Sequence, residues 1–191
     1  MNDIIERMRS GKRISETDSD FPRLCEEIEN TRRLVAELNT GYHSPDEVRS
    51  LLERIWGQSL DASVRMFPPF YTAFGKTTRV GKNVFVNFGC TFLDQGGITL
   101  EDGVFIGPES KILTEAHPEQ PEIRHTLQTE PVVIRRKAWI GAGFIFFKRS
   151  VTSLCTVLLL TPNWPAACRT VALFFTIYSA IATARSSIGV F

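Results

Sequence analysis

Acidic residues are missing from the last third of the chain. All 21 Asp and Glu lie within residues 1–130, beside 15 of the 22 Lys and Arg, whereas residues 131–191 hold seven bases and no acid. A soluble domain seldom avoids carboxylates for 61 residues, so this stretch follows different rules from the rest. Net charge is also lacking: at +1 over 191 residues the chain carries no overall basic field of the kind nucleic-acid binding exploits, and no nucleic-acid partner is expected. Cys25, Cys90, Cys155 and Cys168 show no paired spacing, and His43, His117 and His125 form no ligand pattern with them. That excludes a disulfide scaffold and predicts no metal site, leaving reduced thiols in a cytoplasmic protein as the expectation. The first seven residues place charges where an export signal needs an apolar run, so no export is expected. With 43% apolar residues, the chain is long enough for one domain with a real core, which excludes disordered and collagen-like classes.

What is present changes character along the chain. The first 60 residues read as helical. Leu24, Ile28, Val35 and Leu38 recur at helical spacing among Glu and Arg, predicting an amphipathic helix over about residues 21–39 that Gly41 ends. Ser44, Pro45 and Glu47 then supply an N-cap, a first-turn proline and the third-position acid of a capping box. They stand ahead of Val48, Leu51, Leu52, Ile55 and Trp56, which predicts a second helix stopping near Gly57.

From about residue 68 the period becomes six. Residues 80–87, 100–107 and 134–141 share a pattern in which an aliphatic residue recurs every six positions, often followed by Gly or Asn, with a small or β-branched residue four places later. Neither 3.6 nor 2 accounts for this spacing. It is explained if each repeat is a short strand plus a turn, the aliphatic side chain facing a shared interior and Gly or Asn taking the corner. Three repeats make one coil, and the interval from Val80 to Leu100 is a coil of about 18 residues plus a two-residue insertion around Gly96 and Gly97. Stacked coils bury a continuous aliphatic column. The fold class expected is therefore mostly β, a left-handed parallel β-helix over residues 61–143 preceded by a small helical region at residues 1–60. A β-sandwich with irregular turns is the alternative.

These repeats, with residues 67–71, 86–88, 93–97, His117-Pro118 and Trp139-Ile140-Gly141, resemble the hexapeptide-repeat sugar O-acetyltransferases, of which maltose and galactoside acetyltransferases are named members. The resemblance covers residues 1–143. It implies a homotrimer of β-helical prisms, with active sites between subunits, in which an acetyl group passes from acetyl-CoA to the hydroxyl of a sugar or glycoside acceptor.

Carried onto this sequence, the resemblance makes His117 the catalytic base. An alcohol is a poor nucleophile at neutral pH, and an imidazole of pKa roughly 6.5 can take its proton as it attacks a thioester. His117 stands in the catalytic loop, residues 113–131, which interrupts the period. Asn87 matches a residue that binds acceptor and stabilises the transition state, although Asn also suits the corner after each aliphatic residue. Asp94 and Gln95 fall where relatives bind the sugar, Gln95 standing where some have a carboxylate. Arg124 matches a basic loop position, and Glu16 or Asp18 an acceptor-binding acid with helix capping as the other reading. Trp139 and Ala142 fall at the cofactor side of the site, Trp139 as an aromatic wall or as packing against the next coil like Phe85 and Phe105.

After Gly143 the pattern breaks. Relatives continue with further aliphatic-Gly coils, whereas Phe144 occupies a slot for a small residue and no such hexapeptide recurs until Ile188-Gly189. Residues 144–191 are expected to be a hydrophobic tail foreign to the family. A membrane anchor is not expected, because Pro162 and Pro165 interrupt its first apolar run and the second, residues 170–184, falls short of the roughly 20 residues a span needs. A reading-frame shift near codon 144 accounts for the loss of acids and of period together. The missing coils would hold CoA, so the alternative to an active enzyme is a catalytically inactive β-helical remnant or assembly subunit.

Overall fold

The computed structural model describes residues 3–147. The expected tail therefore lies outside the described residues from Lys148 onward. Helix α1, Ile4–Arg9, is capped by Asp3 and buries Ile4 and Met8. Helix α2, Phe21–Leu38, matches the predicted span to one residue. Its C-cap is Asn39, two residues earlier than Gly41, and the Asn39 amide donates to the Phe70 carbonyl and accepts from the Phe70 N–H, each at 2.9 Å. Helix α3, Pro45–Trp56, carries the full capping box, with Ser44 and Glu47 exchanging bonds, and Gly57 closes it at φ 63°. Its buried face is Val48, Leu51, Leu52, Ile55 and Trp56, as the spacing required.

Beyond α3 short strands visit three sheets in strict rotation. The strands are β1 (Arg65–Met66), β2 (Phe70–Thr72), β3 (Thr78–Val80), β4 (Phe85–Val86), β5 (Cys90–Leu93), β6 (Ile98–Leu100), β7 (Phe105–Ile106) and β8 (Lys111–Leu113), then a hairpin of β9 (Glu115–Ala116) and β10 (Gln128–Thr129), then β11 (Val132–Ile134), β12 (Trp139–Ile140) and β13 (Ile145–Phe147). The sheets are β1-β4-β7-β12, β2-β5-β8-β13 and β3-β6-β11, all parallel. Each strand pairs with the one a full turn earlier, so the hydrogen-bond direction runs along the axis of a three-sided coil.

The register measures the coil. Arg65 lies opposite Phe85 and Phe85 opposite Phe105, a turn of 20 residues; from Phe105 to Trp139 the interval widens to 34. The two residues beyond a bare 18 were expected once, at Gly96 and Gly97. The structure places extra chain at the same corner in successive turns: between β2 and β3, between β5 and β6, and between β8 and β11, where it grows into the loop that carries His117. The first turn hid this because its Phe and Pro residues lack the aliphatic-Gly signature.

The interior is the predicted column. Val84, Val86, Leu100, Val104, Ile106, Ile112, Ile134 and Ile140, with Phe70 and Phe92 at the wide side, are all buried in one cluster continuous with the buried face of α3. Facing aliphatic residues in successive turns is what a six-residue period does when every third repeat returns to the same side. A second cluster, Ile4, Met8, Ile14, Leu24 and Phe74 with Leu127 against it, joins α1 and α2 to the 117–127 loop.

The outer faces differ. On the first sheet the outward positions in register are Arg65, Phe85, Phe105 and Trp139; Phe67, just past β1, meets the Phe85 ring edge-on at 5.3 Å, and Phe85 and Phe105 lie 5.7 Å apart. Phe67, Phe105 and Trp139 are each half exposed, at 52%, 50% and 52%. The matching outward positions of the other sheets are Tyr71, Thr91, Lys111 and Ile145, and Arg79, Thr99 and Val133.

Candidate active site

The wide corner between the second and third sheets brings together several of the residues expected at the site. Here β9 and β10 pair antiparallel, Ala116 opposite Gln128 and Glu115 opposite Thr129, and hold the 117–127 loop by its base. The N-terminal segment crosses this loop: Ile14 bridges to Leu127 and the Thr129 hydroxyl donates to the Met8 carbonyl.

His117 is exposed at the start of that loop. Its Nδ1 lies 2.8 Å from the Arg124 carbonyl oxygen and 3.1 Å from that of Thr126. A carbonyl oxygen only accepts, so Nδ1 carries the proton and the lone pair of the neutral ring resides on Nε2. Arg124 contributes its backbone here, while its guanidinium donates to the Glu119 carbonyl at 2.6 Å and closes the loop on itself. Sequence reasoning assigned Arg124 by its charge; its visible work is to shape the loop that orients the imidazole.

Asp94 is 0% exposed. Its carboxylate accepts the N–H groups of Phe74 and Gly75 at 2.9 Å and the hydroxyls of Thr72 and Thr78 at 2.9 and 2.6 Å. Burial pushes its carboxyl up from the ordinary range, and these donors pull it back. The Thr77 hydroxyl donates to the Asp94 backbone carbonyl. Asp94 therefore pins one wide corner to the one beneath it, and no oxygen of its side chain faces solvent.

Gln95 follows, half-buried, its backbone N–H donating to Glu115 Oε2 at 2.7 Å. The next N–H, of Gly96, donates to the Thr114 hydroxyl oxygen at 2.9 Å, and that hydroxyl donates to the Leu93 carbonyl at 2.7 Å. Burial, with the charge of Asp94 adding to it, pushes the Glu115 carboxyl up to about 7. Sequence reasoning missed Glu115 and Thr114. The available signal was an acid two residues before His117, at the point where the period stops.

Asn87 stands elsewhere, at the corner between the first and second sheets, where its N–H donates to the Ile106 carbonyl at 2.9 Å. Its Oδ1 accepts the Phe88 N–H at 2.9 Å, which leaves the amide nitrogen as the donor end of the side chain. Trp139 and Ala142, both exposed, share this side of the coil. Gly141 there has open space where a Cβ would stand, while a Cβ at Gly107 below it would meet the Gly141 backbone at 2.7 Å. One whole face separates this corner from His117, because β5 spans four residues at about 3.3 Å each. The structure thus sorts the expected residues into two groups, Asp94, Gln95, His117 and Arg124 at the wide corner and Asn87, Trp139 and Ala142 at the next.

The two N-terminal acids also separate. Asp18 accepts from Arg7 at 2.6 and 2.9 Å and from the Asp20 N–H at 3.0 Å, which lowers its pKa to about 2. Glu16 is exposed. Among the described residues, no group of three or more His, Cys, Asp or Glu could hold a metal ion, and no helix is long and apolar enough to cross a membrane.

No family model matches the chain. It is 44% identical over 97 residues to nodulation protein L of Rhizobium leguminosarum bv. viciae, a match covering 50% of each protein, so the chain spans about half the length of this curated relative. It is 35% identical over 132 residues to a protein of Staphylococcus haemolyticus named "putative acetyltransferase", covering 67% of this chain and 68% of that one. Among solved structures it superposes on a maltose O-acetyltransferase from Clostridium difficile 630 with a TM-score of 0.67 at 28% identity, covering 76% of each chain. A galactoside acetyltransferase in complex with coenzyme A aligns with a TM-score of 0.58 at 25% identity, over 75% of this chain and 80% of that one.

Proposed function

The chain belongs to the hexapeptide-repeat acetyltransferases of the maltose and galactoside O-acetyltransferase kind, and from that premise we propose that it transfers an acetyl group from acetyl-CoA to a sugar hydroxyl. The three-sheet coil is then a left-handed parallel β-helix, and the protein works in the cytoplasm as a homotrimer. The observation that carries the reading is the orientation of His117, whose Nδ1 is committed to backbone carbonyls while Nε2 remains an acceptor on an exposed loop.

Nε2 of His117 takes the proton of the acceptor hydroxyl as its oxygen attacks the thioester carbon. The carbon–oxygen bond forms, the carbonyl oxygen gains charge, and the amide nitrogen of Asn87 donates to it. The carbon–sulfur bond then breaks, and the CoA thiolate recovers the proton from the imidazolium. Trp139 and Ala142 line the side where acetyl-CoA lies, and the open space at Gly141 fits the approach of an extended chain to the backbone. Gln95, with Glu16 and the Asp18 region, serves the acceptor, while Asp94 acts by holding the Gln95 corner.

His117 and Asn87 stand on different corners of one chain, and this supports a site completed by two copies. The outward row of Phe85, Phe105 and Trp139, extended by Phe67, is the aromatic face on which a second copy packs. Mixing the full-length protein with acetyl-CoA and a panel of glycosides tests the proposal. Acceptor-dependent release of free thiol is expected. A folded protein that neither releases thiol nor binds acetyl-CoA by calorimetry is instead the inactive remnant.

A further inference from the structure

Gln95 and His117, both expected at the site, belong to different turns of the coil, and a side chain next to one in sequence reaches the backbone of the other. Glu115 sits two residues before His117 on β9 and accepts the Gln95 N–H at 2.7 Å. We propose that Glu115 is a positioning residue of the acceptor half of the site, fixing the Gln95 corner against the strand that presents His117. Its effect on rate rests on the acetyltransferase reading above; the hydrogen bond itself does not.

The geometry gives this contact little redundancy. At the wide corner the extra residues break the regular ladder, so the N–H groups of Gln95 and Gly96 have no strand carbonyl opposite them. Consecutive side chains supply the acceptors instead, Thr114 for Gly96 and Glu115 for Gln95. Gly96 cannot compensate by moving, because a Cβ there would lie 2.9 Å from the backbone of Glu130 and Thr114. Below, the buried Asp94 fixes the residue before Gln95. Gln95 is thereby held on both sides, and its side-chain amide is left free for an acceptor hydroxyl.

The chemistry of the group agrees with the placement. Burial raises the Glu115 carboxyl to about 7, with the charge of Asp94 adding to it, and the Gln95 N–H is what favours its ionised form. Glu115 is opposite Thr129, whose hydroxyl reaches the Met8 carbonyl, so the same strand pair is braced by the N-terminal segment. The link therefore runs from the Gln95 corner through Glu115 to the floor of the catalytic loop.

Two measurements on the full-length protein test it. In steady-state kinetics, E115A should lower kcat/KM for the glycoside by about 10 to 100-fold, the range for a residue that orients another. KM for acetyl-CoA should stay within about twofold. E115Q, which keeps an accepting oxygen, should recover most of the loss. E115A matching the wild type, or E115Q falling as low as E115A, overturns the proposal. Independently of turnover, the backbone amide proton of Gln95 should titrate with a midpoint near 7 in the wild type and stay flat in E115Q. A flat Gln95 resonance in the wild type overturns the proposal even if E115A fails to fold. Absence of transfer in the wild type together with a titrating Gln95 amide would instead refute the acetyltransferase reading and leave the contact standing.

Discussion

The Nδ1 of His117 donates to the backbone carbonyl of Arg124 at 2.8 Å, across seven residues of one loop. The 3-10 turn at Pro121–Ile123 brings that carbonyl back, and the Arg124 guanidinium on Glu119 keeps the turn closed. The loop thus makes the tautomer of its own histidine. In many sites a carboxylate holds the imidazole; here backbone does so, adding orientation without a second charge.

Asp94 is the strongest single anchor of the wide corner. D94A should leave the buried N–H groups of Phe74 and Gly75 without acceptors, at about 1–3 kcal/mol each. Urea unfolding should show a loss of roughly 3 kcal/mol or more, with D94N intermediate because its amide presents a donor toward donors. A loss below about 0.5 kcal/mol, the range of ordinary surface changes, would contradict this role.

The Arg7–Asp18 pair contributes to the acid limb of stability. Asp18 is held at about 2 against an ordinary 3.8, so the folded state favours its ionised form. The pair therefore contributes fully above about pH 4 and is lost as pH falls toward 2. Thermal midpoints of wild type and D18N should differ at neutral pH and converge across that window. A difference that stays constant through it contradicts the assignment.

The column of aromatic residues should matter to assembly and little to the protomer. F105A removes a half-exposed ring from the centre of that face. Sedimentation equilibrium should show association weakened by about 30-fold per interface, the scale of an aromatic hot spot, with an unchanged circular dichroism spectrum. Unchanged assembly of F105A, or a monomeric wild type, contradicts the placement of the interface.

Much of this was legible in the chain. The capping box at Ser44 and Glu47 fixed the start of α3 to the residue, because a cap is a local event. The six-residue period expected its aliphatic residues inside, and Val86, Leu100, Ile106, Ile134 and Ile140 are buried there, because every third repeat returns to one side. Helix α1 falls in the region read as helical but had no bounds there: six residues give too few turns for a pattern, and Ile4 and Met8 pack in one cluster with distant Phe74. Asp94 shows the limit best. The resemblance put it where relatives bind the sugar, and only the stacking of one corner on another 20 residues earlier puts four donors around its carboxylate. Glu115 was hidden for the same reason, since its partner Gln95 is a turn away.

The central claim is that the free Nε2 of His117 is the proton acceptor in acetyl transfer. The direct test is the rate of acetyl transfer to a glycoside by H117A beside the wild type, at saturating acetyl-CoA. Loss of general-base catalysis predicts a fall in kcat of about 10²–10⁴-fold with the fold intact. An H117A protein that transfers acetyl groups within about threefold of the wild-type rate would contradict the account.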